Sequence, residues 1–173
     1  SGSMCTLYCL REAIGDADFL VLESDLLYDK SGIKTLLGAS DSNIILSSGA
    51  THSNDEVYIE CDEYQHLINM SKQSSELNSI YSELVGISKL SNPFYQEMCR
   101  VFEAEQKKKM EYETGMVLAS RTIPAHVLKI ENYAWCEIDD ESHLNRALTK
   151  ISPLIEIAEE ESNIAFYGGD VHC

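Results

Sequence analysis

The sequence predicts an α/β domain, a three-layer sandwich around a mixed sheet. Three observations carry that expectation. Apolar runs rich in strand formers, "FLVL" at 19–22, "NIIL" at 43–46 and "SELVGISKL" at 82–90, alternate with stretches of helical character. A hairpin pattern lies between two of them, at 56–72, which argues for a mixed sheet over a purely parallel one. Apolar residues make up 44% of 173, enough for a sizeable core in one domain.

Taken in order, "MCTLYCLREAI" at 4–14 reads as a helix. Met4, Leu7, Tyr8 and Ile14, with Cys9 or Leu10, share a face, Ser3 is placed to cap it and Gly2 allows close approach. Gly15 and Asp16 end it. The run at 19–23 reads as a buried parallel strand, and 31–38 as a short helix. Strand 43–50, the hairpin and strand 82–91 follow. Asn92 as cap with Pro93 at the first helical position starts a helix that runs toward "EQKKK" at 105–109, a solvated end. A short helix around Gly115, a strand in "AHVLKIEN", a strand in "YAWCEID" and a helix at 140–150 capped by Asp140 complete the pattern. The stretch 156–173 has no clear periodicity and reads as a tail or linker after a domain of residues 1–155.

The formal net charge of −16 argues against a nucleic-acid or anionic-membrane surface as partner, and it permits a site that holds cations. No run approaches the roughly 20 apolar residues of a spanning helix. The first residues carry no basic leader or long apolar segment. The six cysteines are scattered without a C-x-x-C pair, as free thiols of the cytoplasm are.

Two acid clusters stand out. Glu23 and Asp25 follow the 19–22 run, and Glu137, Asp139 and Asp140 lie at the carboxyl end of the strand that Trp135–Ile138 completes. Ligands of open α/β sheets sit beyond the carboxyl ends of strands. Carboxylates converging there suit a hard divalent cation such as Mg²⁺. Asp25 and Asp140 are equally readable as turn and helix caps. Phosphate-binding α/β domains usually carry a glycine-rich loop after the first strand, and this chain, which opens on a helix, has none.

"FLVLESDLLYD", "DEVYIECDEYQHLINMSK", "SELVGISKLS" and "WCEIDDESHLNRA" together resemble the small cytidylyltransferases of the nucleotidyltransferase fold. These include the CTP:phosphocholine and 2-aminoethylphosphonate enzymes, and the opening residues resemble the latter branch. The likeness runs from residue 1 to about 155 and rests on order and spacing, since no single motif is as specific as a Walker loop. It implies a nucleotide-diphospho-sugar transferase-like, Rossmann-like sandwich lacking its first βα unit. It implies CMP transfer from CTP to a small phosphono- or phospho-amine, with Mg²⁺ as cofactor and release of pyrophosphate. Asp25 and Asp139 match the family's metal aspartates, and Gly2 and Ser3 its small-residue turn near the nucleotide. Where the family has a glycine-rich loop and a lysine before this point, the chain has nothing, so it is expected to be N-terminally truncated and inactive in isolation.

Tyr112, Glu113, Tyr133 and Trp135 are candidates for an amine box, since aromatic faces attract ammonium groups. Lys72 is a candidate phosphate contact and Glu83 a candidate substrate contact; each also reads as an ordinary surface or core residue. The five histidines lack metal-ligand spacing and read as structural. Cys136 reads as a packed thiol. Two rivals stand beside cytidylyl transfer: sugar-1-phosphate nucleotidylyl transfer, and a non-catalytic remnant. A homodimer is compatible with the sequence, which does not set the oligomeric state.

Overall fold

The computed structural model describes residues 2–53, 56–105 and 109–167, the last seven as backbone only. Helices α1 (Ser3–Cys9) and α2 (Arg11–Ile14) lead into strand β1 (Phe19–Leu22). Strand β2 (Leu26–Tyr28), helix α3 (Ser31–Gly38) and strand β3 (Ile44–Ser48) follow. Strands β4 (Tyr58–Cys61) and β5 (Leu67–Ser71) form the expected hairpin, and β6 (Ser82–Leu90) is the longest strand. Helices α4 (Asn92–Glu105) and α5 (Tyr112–Ser120), strands β7 (His126–Ile130) and β8 (Trp135–Glu137), and helix α6 (Glu141–Arg146) come next. A π-helical turn, Ala147–Ile151, then runs into helix α7 (Ser152–Tyr167).

The main sheet has the order β5-β4-β6-β3-β7, and β1 pairs with β6. β6 runs antiparallel to β1, β3 and β4, whereas β3 and β7 are parallel. Strands β1, β3 and β7 therefore share one direction and open at the same end. The sheet is covered on both faces, which the alternation along β3 and β6 requires. Ile45, Leu84 and Leu90 join Met4, Phe94, Tyr95, Met98 and Met116 beneath α1, α4 and α5. Ile44, Leu46, Val85 and Ile87 join Leu36 of α3 and Tyr133 on the other side.

Several expectations change. β1 is antiparallel to its neighbour and half-buried, with Leu22 40% exposed, because among the described residues its second edge pairs with no strand. β2, hidden in the acid-rich stretch after β1, pairs antiparallel with β8 as a separate two-stranded ribbon. Ser91, not Asn92, caps α4 by accepting the Phe94 N–H at 3.3 Å. Asn92 instead binds Asp18 through its own N–H and the Gly15 carbonyl through its amide, holding the loop before β1. The first helix breaks at Leu10, and α7 continues from 152 to 167, through a stretch without clear periodicity. Of the "EQKKK" run, residues 106–108 lie outside the described residues. Among the described residues no helix is long and apolar enough to cross a membrane, and the five described cysteines are unpaired.

Candidate active site

Glu23 leaves β1 with its N–H on the Gly86 carbonyl, 3.0 Å. Gly86 sits in the middle of β6 at φ +83°, opposite an irregularity in the β3 register. A Cβ there would stand 2.4 Å from Glu23 Oε2. The missing side chain is what lets the carboxylate lie over the strand. From the other side Tyr112, at the start of α5 and buried, donates to Glu23 Oε1.

Asp25 is delivered by the β2–β8 ribbon. Leu26 is paired with Glu137, and the Asp25 carbonyl accepts the Ile138 N–H at 2.9 Å. Glu23, Asp25 and Glu137 thereby each bring a carboxylate oxygen within 4.8 Å of the others. Burial pushes the Glu23 carboxyl above its ordinary range; Tyr112 opposes this, while Asp25 and Asp139 add to it. Three all-oxygen donors crowded at a strand end, one already reluctant to ionise, fit a hard divalent cation.

Asp139, the acid expected beside Asp25, lies outside this set. Its side chain is 46% exposed and stands near His143, Oδ2 to Nδ1 3.9 Å. It contributes to the field on Glu23 without joining the three. The reason is the ribbon register: pairing of Leu26 with Glu137 brings the earlier acid of "EID" to the site.

Next to the triad lies a cleft of about 80 Å³. Lys72, Glu113 and Trp135 line it, as do Glu23 and Glu137. Burial raises the Glu113 carboxyl, with Glu23 and Glu111 adding to it, and its Oε2 is buried without a hydrogen-bond partner. The Trp135 indole N–H donates to Ser48 Oγ at 2.9 Å. The other expected residues stand elsewhere. Tyr133 packs in the α3 core with its hydroxyl on the Asp29 carbonyl. Glu83 is buried and accepts the Thr51 N–H at 2.8 Å, tying down the loop after β3. Gly2 approaches the Met110 backbone so closely that a Cβ would meet its oxygen at 2.2 Å. Ser3 binds Glu111 Oε2 at 2.7 Å and accepts the Tyr112 N–H at 2.8 Å, at the rim of a wider groove of about 500 Å³ shared with Asp25. Sequence reasoning placed Glu23 and Glu137 in its acid clusters without assigning them to the metal, and it missed His143 and Arg146 as residues lining the cleft. The glycine inside the apolar strand "LVGIS" was the legible signal for a close approach there.

No family model matches the chain. Many solved structures resemble it, and two of them illustrate the likeness. One is the inositol-1-phosphate CTP transferase from T. maritima, with a TM-score of 0.72, 15% identity, and coverage of 90% of this chain and 62% of that one. The other is described as a glucose-1-phosphate thymidylyltransferase from Bacillus anthracis, in complex with a sucrose. Its TM-score is 0.67 and its identity 11%, with coverage of 85% of this chain and 59% of that one. The fold is the nucleotidyltransferase fold. The chain spans about three fifths of the length of these neighbours. What the neighbours have in common is nucleotidyl transfer to a phosphorylated acceptor, and the triad here sits at the strand ends where open α/β sheets bind ligands.

Proposed function

We propose that the chain carries the acceptor and metal side of a cytidylyltransferase, transferring CMP from CTP to a small phosphono- or phospho-amine such as 2-aminoethylphosphonate or phosphocholine. The observation that carries the reading is the convergence of Glu23, Asp25 and Glu137 beside a cleft with Lys72, Glu113 and Trp135. In the reaction, an acceptor phosphonate or phosphate oxygen attacks the α-phosphorus of CTP. The bond from that phosphorus to the bridging oxygen breaks, and pyrophosphate leaves with the electron pair. Glu23, Asp25 and Glu137 would hold Mg²⁺, which when bound neutralises charge on the phosphates. Asp139 adds to the negative field that favours a cation. Lys72 offers an ammonium to the acceptor anion. Trp135 and Glu113 offer an aromatic face and a carboxylate to its amine, contacts of the kind worth ~0.5–2 kcal/mol. Ser3 borders the groove open to the nucleotide, with Gly2 fixing the turn behind it. Tyr112 orients Glu23.

Pyrophosphate release from CTP and Mg²⁺ with 2-aminoethylphosphonate, phosphocholine and glucose 1-phosphate in parallel tests the reading. Against the inactivity expected from the sequence, the assembled triad and cleft make release with the amines the expected result. Equal or faster release with glucose 1-phosphate overturns the amine assignment in favour of sugar-1-phosphate transfer. No release with any acceptor overturns transfer by this chain.

A further inference from the structure

We infer that Arg146 is a specificity-determining contact for the acceptor's phosphonate or phosphate group, with His143 beside it. The inference deepens the function proposed above and rests on that reading of the cleft. With Lys and Arg numbering 13 against 29 acids, an arginine in this protein should easily find a carboxylate. Arg146 is half-buried and has none among the described residues. Its Nη2 donates to the Thr51 carbonyl at a long 3.3 Å. A guanidinium has five N–H donors in a planar fork suited to two oxygens of one anion, so most of this donor set is left for a ligand. By contrast Lys72 lies in the field of Glu23, Glu113 and Glu111.

The placement is specific. Arg146 is the last residue of α6 before the π-helical turn, and such turns often sit where a helix is re-registered for function. Ala147 and Ile151 stay buried against Cys136, which keeps the helix on β8. Arg146 itself faces the loop after β3. With Thr51 and Trp135 it walls both the acceptor cleft and a larger groove of about 500 Å³ beyond it. His143 lies three residues earlier and also lines the cleft. Its Nδ1 accepts the Asp139 N–H at 3.4 Å, which leaves the hydrogen on Nε2 as a second donor from the same helix. An acceptor anion seated on Arg146 lies next to the acid triad, where its oxygen must be.

The test uses wild type, R146K and R146Q, with two readouts. Ethylphosphonate, which has the anion and lacks the amine, is titrated by ³¹P NMR, and CTP with Mg²⁺ is titrated separately. Initial rates of pyrophosphate release give KM for 2-aminoethylphosphonate and for CTP. R146Q should weaken ethylphosphonate binding and raise the acceptor KM at least tenfold, with R146K between and CTP constants unchanged. If R146Q binds ethylphosphonate like wild type, or if CTP constants shift by the same factor, Arg146 does not serve the acceptor. If wild type itself does not bind ethylphosphonate, the inference also fails. Arginine-dependent phosphonate binding without any CMP transfer sinks the proposed reaction and leaves the anion site standing; transfer with an Arg146-independent KM does the reverse.

Discussion

Tyr112 donates its phenolic hydrogen to Glu23 Oε1 at 2.5 Å, a bond across 89 residues that fastens α5 to the end of β1. Charge-assisted hydrogen bonds of this type contribute about 1.5–3 kcal/mol. Y112F removes the donor while keeping the ring. We expect a loss of stability of that order, near 2–4 °C in Tm per kcal/mol for a chain of this size. Without the donor the Glu23 carboxyl rises further, so Mg²⁺ affinity should fall most at mildly acidic pH. Thermal melts and Mg²⁺ titrations of Y112F at two pH values check both. An unchanged melt shows that the contact carries no net energy.

Replacing the acids separates the observed triad from the pair expected from sequence. E137Q should weaken Mg²⁺ binding by more than the roughly 10–100-fold that loss of an outer partner costs. D139N should leave it nearly unchanged. Isothermal titration of the two variants decides, and the opposite order would return Asp139 to the metal.

Gly86 is the third lever. G86A places a methyl group on Glu23 Oε2 and forces a β-carbon into φ +83°. The backbone term alone costs about 1–2 kcal/mol. The variant should melt lower than wild type and bind Mg²⁺ more weakly, because Glu23 must move. A melt as high as that of wild type would show that the strand relaxes around the methyl.

The buried acids give the metal-free protein a pH dependence of known sign. Glu113 and Glu23 have carboxyls raised above their unfolded values, mainly by burial. Between the unfolded and the raised folded value the native state holds more protons than the unfolded chain. Their contribution is therefore lost as pH rises through that window. In EDTA, E113Q should raise Tm at neutral pH and flatten its decline between mildly acidic and neutral conditions. A lower Tm for E113Q at neutral pH would mean that the charge is favourably paired.

Much of the sandwich was legible because periodicity and punctuation agree along it. The hairpin and β6 were expected close to where they lie, and so was the α5 helix around Gly115. What escaped had physical reasons. β2 is three residues long and has no period of its own; it exists through pairing with β8. The antiparallel sense of β1 cannot be read from its apolar run, which looks the same in either direction. Asp139 was favoured over Glu137 because the family resemblance matched it to a metal aspartate, whereas the register of Leu26 with Glu137, which no sequence pattern shows, brings the earlier acid to the site. Arg146 gave no sign in the sequence, because what marks it is the carboxylate it does not meet in space.

The ribbon of β2 and β8 also governs when the site can exist. Glu137 lies 112 positions after Asp25. At a synthesis rate of roughly 5–20 residues per second, a growing chain carries the first two acids for about 6–22 s before the third has been made. Until then no ribbon can hold Asp25, and the end of β1 carries acids with nothing to share a cation with. On the proposed reading, cation affinity would report on arrival of about the last fifth of the chain. Ribosome-bound chains halted before residue 137 should show none of it, and those halted past the end of α6, once clear of the exit tunnel, should show it in full.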